Sequence, residues 1–362
     1  MGDGNYIALG NKKHILVLTP GFPENDSDTT CIPALQLFIK ELQQTGKVDI
    51  SLIAFQYPYK SNTYYWNNVT VYSIGGENRK GIQRFLNWRK IVKTATKIHQ
   101  EKRINLVHSF WLTECAFVGN KIAQKLAVQH YCTLMGQDSQ RDNKYVTKIN
   151  PFPKIITLSK FHTRTLVENT GIQPQYIIPW GIEKIKNIPK VTKSIDILGV
   201  GNLIPLKGYD RFISVVKEVQ YQFPSVKAEI IGEGPEMKRL QRMIIDNNLN
   251  QNIRLIGKIE RAEVLQKMSK SNCLLHLSNY ESFGMVLIEA LAQGMNVFSN
   301  KVGIAEELED IAIVEGKKDA AEKIITLLNH PKERAHKFPL LIEDTVKSYL
   351  DKVFLDESEK DI

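Results

Sequence analysis

The feature that most constrains the fold is a short apolar strand followed at once by a glycine-containing turn and an apolar helix. The run 273–277 has the nearly continuous apolar character of a strand that is buried on both faces of a parallel sheet. From Val286 to Leu291 the apolar residues recur at helical spacing, and Gly294 supplies a stop. The sequence therefore predicts an open α/β sheet, in which ligands bind at the carboxyl ends of the strands.

The turn itself has the properties of an anion site. The backbone N–H groups of Phe283, Gly284 and Met285 are expected to point out of the helix start, where the macrodipole is positive and the glycine leaves room for a phosphate. Glu281 lies in the turn, and Glu289 leans back toward it from the helix. Carboxylates repel an anion, so we interpret these two as hydrogen-bond acceptors for the hydroxyls of a sugar or a ribose beside the phosphate. A helix cap and a solvated surface position are the alternatives for the two residues.

Four stretches occur in a fixed order around this turn. They are 199–208 (GVGNLIPLKG), 230–235 (IIGEGP), 281–290 (ESFGMVLIEA, with seven residues between its two glutamates) and 302–306 (VGIAE). In this order they resemble the retaining glycosyltransferases of family 4, and the amino-terminal half resembles that family more loosely. The resemblance implies the GT-B fold, an α/β architecture of two Rossmann-like doubly wound domains that face each other across a cleft, with a C-terminal helix that crosses back to the first domain.

Length and composition agree with two domains. A chain of 362 residues is long for one core, and its 43% hydrophobic residues suffice for two. We predict an acceptor-binding Rossmann-like domain over 1–182, completed by about 338–362, then a polar linker over 183–194 and a nucleotide-sugar-binding domain over 195–337. The sequence has no apolar run near the roughly 20 residues of a membrane span and no apolar leader, so we expect a cytoplasmic protein. The four cysteines form no CxxC pair, which predicts neither a metal site nor a disulfide framework.

The positive charge is concentrated in the first half. Residues 1–180 contain 22 Lys and Arg and 12 Asp and Glu, whereas the remaining residues are nearly balanced. Many of these cations lie in a predicted amphipathic helix over 79–103. One interpretation is contact with the anionic inner face of a membrane, at about 1 kcal/mol per basic residue. The other is an ordinary helix that packs on the sheet with solvated cations. No motif for nucleic acid accompanies the charge, so we do not predict a nucleic-acid partner.

The resemblance also implies roles for particular residues. His108, at the end of an apolar strand, corresponds to a histidine that reaches the donor sugar, although a structural histidine has the same pattern. Lys207 corresponds to the lysine that neutralises the diphosphate, and Asn202 stands where most relatives have an arginine, which predicts lower activity or compensation by another base. The expected catalytic residues are His108, Lys207 and Glu281; the expected donor-binding residues are Gly21, Asn202, Gly257, Ile259, Ser282, Phe283, Gly284, Met285 and Glu289. Asp138 and Arg141 follow the predicted strand 129–134 at its carboxyl end and are the expected acceptor-binding residues, with ordinary polar loop residues as the alternative.

The predicted function is transfer of a sugar, with retention of configuration and without a metal or other cofactor, from a UDP- or GDP-linked donor to a glycan or lipid-linked acceptor. No pair of carboxylates placed around the bond is evident, which favours a front-face displacement over a double displacement. Three alternatives stay open. A nucleotide-sugar epimerase needs no acceptor, a phosphorylase needs a pyridoxal lysine, and a non-catalytic sugar-nucleotide-binding protein is compatible with Asn202.

Overall fold

The computed structural model describes residues 12–185, 191–331 and 334–356; parts of the predicted linker and of the C-terminal segment lie outside these ranges. The strands are β1 (Lys13–Gly21), β2 (Val48–Tyr57), β3 (Asn62–Trp66), β4 (Val69–Ser73), β5 (Leu106–Phe110), β6 (Gln129–Thr133), β7 (Lys154–Thr157), β8 (Tyr176–Ile177), β9 (Ile195–Val200), β10 (Ala228–Ile231), β11 (Ile253–Gly257), β12 (Ser271–His276), β13 (Asn296–Ser299) and β14 (Ile311–Ile313). The helices are α1 (Pro33–Gln44), α2 (Gly81–Glu101), α3 (Glu114–Leu126), α4 (Lys160–Thr170), α5 (Tyr209–Gln222), α6 (Met237–Asp246), α7 (Arg261–Ser269), α8 (Met285–Ala292), α9 (Lys317–Asn329) and α10 (Ile342–Tyr349).

The chain divides into two compact units. The first comprises the residues up to Ile156, the segment Gln173–Ile178 and the residues from Ile342 onward, so α10 belongs to it as predicted for the C-terminal helix. The second comprises Thr157–Ile172 and Pro179–Leu341. The helix α4 thus lies with the second unit, whereas the sequence assigned residues 1–182 to the first domain. Hydrogen bonds explain this assignment, because the Ser159 hydroxyl donates to the carbonyl of Ser282 at 2.8 Å, and the Lys160 N–H donates to the Glu307 carboxylate at 2.8 Å.

The first unit is built on a sheet with the order β3-β4-β2-β1-β5-β6-β7-β8. The strand β1 pairs in parallel with β2 and β5, and β3 pairs antiparallel with β4 at the edge. The second half of α2 buries Ile91, Ala95 and Ile98 in the core beside Leu16 and Ile53. Apolar residues on β1 are fully buried because helices cover the central strands, as the continuous apolar pattern predicts.

The second unit has a parallel sheet with the order β11-β10-β9-β12-β13-β14. Counted from its own first strand, this is the 3-2-1-4-5-6 order of the dinucleotide-binding fold. The strand order reverses between β9 and β12, and ligands of such sheets bind outside the carboxyl ends of the strands at that point. The residues that follow β9 and β12 are therefore the first place to look for a site.

Among the helices in the described ranges, none combines the length and apolar composition that a membrane span requires.

Candidate functional site

Two loops meet at the carboxyl ends of β9 and β12. The loop after β9 contains a single 3₁₀ turn, Pro205–Lys207, and the loop after β12 leads into α8. The N–H of Asn279 donates to the carbonyl of Leu206 at 2.8 Å, and the Ser278 hydroxyl lies 3.2 Å from the same carbonyl and 2.9 Å from that of Tyr280. These bonds tie the two loops together and bring Lys207 beside the turn that contains Glu281.

A charged cluster stands at this junction. The ammonium group of Lys207 forms an ion pair with Oε1 of Glu281, and Nε2 of His276 lies 3.0 Å from the same oxygen. All three side chains are largely buried. Burial alone raises the pKa of Glu281, but the hydrogen bond from His276 and the charges of His276 and Lys207 outweigh it and lower that pKa to about 2. Glu281 is therefore a fixed negative charge at neutral pH and has no proton to donate.

The start of α8 has the backbone features that the sequence predicts for an anion site. Gly284 precedes the helix with a φ of +91°, a conformation that glycine adopts at no steric cost. The N–H groups of Phe283, Gly284 and Met285 donate to no acceptor within the described part of the chain, as expected for a first helical turn. Ser282 turns its carbonyl away to Ser159. The predicted anion site thus has free donors at the positive end of a helix.

The turn that contains Gly303 packs against the backbone at the start of α8. Gly303 has a φ of +58°, and a Cβ at this position would lie 2.2 Å from the carbonyl oxygen of Phe283. The N–H of Ile304 donates to the same carbonyl at 2.8 Å. The stretch 302–306, singled out in the sequence, therefore fixes the backbone of the turn rather than offering side chains to a ligand.

Glycines also fix the loop that carries Asn202. A Cβ on Gly232 would lie 1.9 Å from the carbonyl oxygen of Gly201, and one on Gly234 would lie 2.4 Å from that of Leu203. The N–H of Leu203 donates to the carbonyl of Glu233 at 2.8 Å. The loops after β9 and β10 thus pack backbone to backbone, and Asn202 is left exposed on their outer side.

The second carboxylate of the motif has a partner that the sequence did not indicate. Glu289 is buried in α8, and Arg261, the first residue of α7, contacts its Oε1 at 2.6 Å. Burial raises the pKa of Glu289, and the charge of Arg261 offsets only part of that rise. Arg261 follows the loop of Gly257 and Ile259, where Gly257 has a φ of +81° and Ile259 is half-buried. The sequence predicts donor contacts at Gly257 and Ile259 but has no pattern that indicates Arg261.

His108 lies elsewhere, in the core of the first unit. It has no exposed surface, its Nε2 is 2.9 Å from the hydroxyl oxygen of Thr133, and its ring stacks on Phe110 at 4.7 Å between centroids. Burial, with a smaller contribution from His130, lowers its pKa to about 3. In this position His108 does not make the predicted contact with a donor sugar. The histidine sits within β5 rather than at its end and fills the core as a neutral ring.

The predicted acceptor residues differ in their surroundings. Asp138 is buried and accepts N–H groups from Leu112 at 2.9 Å, Met135 at 3.2 Å and Gly136 at 2.9 Å, so its carboxylate organises a loop. Burial raises its pKa, and these N–H groups counteract part of the rise. Contact between Asp138 and an acceptor would require breaking this set of bonds. Arg141 is exposed, and its contact with an acceptor stays a prediction.

Gly21 ends β1, where a Cβ would meet Cys31 and Tyr57 at ordinary contact distances of 3.5 Å. The position is therefore not one that only glycine can occupy. It lies in the first unit, like His108 and Asp138, whereas Lys207, Glu281, Glu289 and the start of α8 lie in the second. The structure thus brings Lys207 and Glu281 together in the second unit, whereas His108 and Asp138 of the first unit have largely structural contacts.

Together, the two Rossmann-like units and the cluster at a topological switch point define a chain with the GT-B fold. Residues 182–338 match the model of the family described as Glycosyl transferases group 1, which confirms the predicted resemblance to glycosyltransferases. The chain is similar to an uncharacterized glycosyltransferase of Methanocaldococcus jannaschii, with 29% identity over 292 residues that cover 76% of this chain and 79% of the relative.

Two further comparisons place the chain more broadly. It is 26% identical over 271 residues to a component of the phosphatidylinositol N-acetylglucosaminyltransferase of Homo sapiens, and the match covers 66% of this chain and 56% of the human protein. Its fold is similar to that of HepE from Anabaena, solved in complex with UDP and glucose, with a TM-score of 0.65, 18% identity and coverage of 94% of this chain and 95% of HepE. The family match supports glycosyl transfer as the broad activity, and the similarity to HepE supports the fold.

Proposed function

We propose that the chain is a retaining, hexosyl-transferring enzyme of the family 4 type, which moves a sugar from a nucleotide-sugar donor to a glycan or lipid-linked acceptor. The single observation that carries the proposal is the cluster of Lys207, Glu281 and His276 beside the free N–H groups at the start of α8. It combines a mobile cation, fixed N–H dipoles and a hydrogen-bond acceptor in one place. These are the groups that a sugar diphosphate needs.

The diphosphate is the part of the donor that this site suits best. Departure of the nucleotide leaves negative charge on the β-phosphate, and N–H dipoles that already point at the site stabilise that charge without reorganisation. The Lys207 ammonium supplies a full positive charge beside them. Because these groups neutralise the leaving group, we propose that transfer proceeds without a metal ion. The complex of HepE with UDP and glucose supports a UDP-linked hexose as the first donor to test.

Glu281 suits the donor sugar as an acceptor of hydrogen bonds. With a pKa of about 2 it stays ionised and is excluded as a general acid at neutral pH. We propose that the acceptor hydroxyl passes its proton directly to the departing phosphate oxygen. This is the front-face displacement, which retains the configuration of the sugar. Glu289, held by Arg261, is the corresponding acceptor for ribose hydroxyls.

Asn202 removes one cation from the diphosphate site, and Arg211 is the residue that we propose compensates for it. The guanidinium of Arg211, in the first turn of α5, donates to the carbonyl of Leu277, at the beginning of the loop after β12. Its positive charge thus lies at the same pair of loops as Lys207. An Arg211→Met variant is expected to turn over donor more slowly, and an Asn202→Arg variant to turn it over faster.

The acceptor is proposed to lie at an anionic membrane surface, with α2 as the contact. The first turns of this helix expose Ile82 by 80%, Phe85 by 55% and Leu86 by 49%, whereas the second half packs into the core. A groove of about 1,100 Å³ runs along α2, and its lining includes Phe85 and Trp88 together with cations on α2 and α3: Arg89, Lys90, Lys93, Lys97, Lys121 and Lys125. The human relative is named as a subunit of a phosphatidylinositol N-acetylglucosaminyltransferase. This name supports a lipid-linked acceptor.

Co-sedimentation with vesicles tests the membrane contact. The wild type is expected to bind vesicles that contain phosphatidylserine and to lose binding in high salt, because cations drive the approach. An Ile82→Ser, Phe85→Ser, Leu86→Ser variant is expected to bind more weakly by roughly tenfold or more, from the lost burial of three apolar side chains. Tyr221→Ser, which removes an exposed aromatic on α5, is the control. Equal binding of neutral and anionic vesicles would contradict the proposal.

The transfer activity is tested by the release of nucleoside diphosphate from UDP- and GDP-sugars, with and without glycan and lipid acceptors. The Lys207→Met and Glu281→Gln variants are expected to lose turnover by roughly a hundredfold or more while they remain folded. The anomeric configuration of the product, measured by NMR, is expected to match that of the donor. Full turnover by both variants would refute the assigned roles.

Two observations favour a second candidate, a non-catalytic sugar-nucleotide-binding protein. Asn202 replaces a cation, and the buried His108 leaves the proposed site without one of its predicted catalytic groups. Donor hydrolysis above background excludes this candidate. Conversion of donor alone to an epimer would instead indicate a nucleotide-sugar epimerase.

A further inference from the structure

The two oxygens of the Glu281 carboxylate have different surroundings. Lys207 Nζ and His276 Nε2 both contact Oε1. For Oε2, no protein partner is found in the described ranges. One oxygen of this carboxylate is thus anchored twice, and the other remains available as a hydrogen-bond acceptor.

The two anchors differ in how firmly they are held. His276 is the last residue of β12, pairs in register with Ser299 of β13, and accepts the N–H of Asn300 on its carbonyl at 3.0 Å. Its side chain is only 5% exposed, so the ring has little room to move. Lys207 lies in a loop, its side chain is 20% exposed, and its long flexible stem lets the ammonium group change partner.

This difference matters once a donor is bound, a step that rests on the function proposed above. The diphosphate competes with Glu281 for the Lys207 ammonium, because both are anions and a phosphate carries more charge than a carboxylate. If Lys207 were the sole anchor, the carboxylate would lose its position at the moment when it has to hold the sugar. The imidazole N–H keeps a charge-assisted hydrogen bond to Oε1 whichever partner Lys207 takes.

We propose that His276 is a positioning residue: its Nε2–H fixes Oε1 of Glu281 so that Oε2 faces the donor sugar after Lys207 has turned to the diphosphate. The assignment requires the tautomer with a proton on Nε2, or the doubly protonated ring, since only these donate to a carboxylate. No proton leaves the imidazole in this role. His276 acts on the sugar part of the donor and not on the nucleotide.

That distinction gives a binding test that does not depend on turnover. Calorimetric titrations compare UDP with UDP-glucose, and GDP with GDP-mannose, for the wild type and for variants of His276. His276→Leu removes the hydrogen-bond donor Nε2–H. It is expected to leave the affinity for the nucleoside diphosphate within about twofold of the wild-type value. Its affinity for the nucleotide-sugar is expected to fall by roughly 10- to 100-fold, the range for a lost hydrogen bond to a charged group. His276→Gln, which places an amide N–H near the Nε2 position, is expected to recover most of the loss.

Two controls separate positioning from packing. Lys207→Met is expected to weaken both the nucleoside diphosphate and the nucleotide-sugar, because it acts on the phosphates. In a Glu281→Gln background, His276→Leu is expected to have little further effect on the sugar, because the group that it positions is already altered. Each variant is checked by near-UV circular dichroism. If His276→Leu does not fold, His276→Asn replaces it, because the shorter amide does not reach Oε1 of Glu281.

The outcomes are distinguishable. Wild-type protein that binds no nucleoside diphosphate refutes the proposed function and the inference with it. Wild-type protein that binds both ligands, with His276→Leu losing none of the preference for the nucleotide-sugar, overturns the inference alone. Equal losses for His276→Leu and His276→Gln also overturn it, because they indicate ring packing rather than a hydrogen bond.

Discussion

The Glu281→Gln substitution is the sharpest test of the electrostatics of the site, because glutamine resembles the protonated carboxyl group. The pKa of Glu281 is lowered from its ordinary value of 4.5 to about 2 in the folded protein. A difference of about 2.5 pKa units corresponds to about 3 kcal/mol in favour of the charged form, at about 1.36 kcal/mol per unit. Since the wild type has this stabilisation at pH 7 and the variant lacks it, we expect the second unit of the variant to be less stable by about 3 kcal/mol.

The pH dependence has a definite sign. Because the folded pKa lies below the unfolded one, the contribution is complete above pH 4.5 and is lost as the pH falls toward 2. The wild type and the Gln variant should therefore differ most at neutral pH and converge in acid. This convergence separates a charge effect from a packing effect, which would persist at low pH.

Amide hydrogen exchange is the suitable assay, because a chain of two units need not unfold in one step. The slowest amides of β9 and β12 report the opening of the second unit, and they are expected to exchange roughly 100-fold faster in the variant at pH 7. Glu233→Gln, which removes an exposed carboxylate 3.7 Å from Lys258, is the matched control and is expected to change exchange less than threefold. Less than a fivefold change for Glu281→Gln, or a difference that is the same at pH 7 and pH 3, would refute the reasoning.

Three other predictions follow from the geometry of the site and of its backbone. An Arg261→Met variant leaves the buried Glu289 without its counter-charge, so the pKa of Glu289 should rise further and the urea midpoint should fall at pH 7 but not below pH 4. This variant should also bind the nucleoside diphosphate more weakly by calorimetry. A Gly232→Ala variant brings a methyl group 1.9 Å from the carbonyl oxygen of Gly201 and should destabilise the second unit by about 3 kcal/mol or more. Gly21→Ala, with contacts of 3.5 Å, should destabilise the first unit by less than about 1 kcal/mol, and the exchange of the slowest amides of each unit measures both effects. A stable Gly232→Ala variant would contradict the close approach of the two loops.

The sequence predicted the α/β class and the central turn because both follow from local patterns. A buried strand leaves a continuous apolar run, and the helix after it leaves apolar residues at helical spacing, so β12 and α8 appear near their predicted positions. The order of strands around the sheet leaves no such local pattern. The pairing of β9 with β12, which joins Lys207 to Glu281, was available only through the resemblance to a known family.

The partners of the site residues could not be predicted for a related reason. His276 lies inside an apolar run, where a histidine has the same pattern whether it fills a core or anchors a carboxylate. The run that ends in His108 is similarly apolar, but in the structure His108 lies in the core and has no exposed surface. Asp138 follows a strand at its carboxyl end, where a polar residue has the same pattern whether it contacts a ligand or organises a loop; in the structure its oxygens accept backbone N–H groups. Arg261 reaches Glu289 across 28 residues of sequence, without any signal in the spacing.

Photo-crosslinking tests most directly whether the second unit binds the nucleotide of a sugar donor. A thermal-shift screen of UDP, GDP, ADP and CMP selects the nucleotide, and an azido derivative of it is crosslinked to the wild type and mapped by peptide mass spectrometry. The crosslinked peptides are predicted to contain the loops 201–208, 257–261 or 281–289, and excess unmodified nucleotide and the Lys207→Met substitution should both suppress them. Crosslinks confined to the first unit, or labelling that neither treatment reduces, would contradict the account.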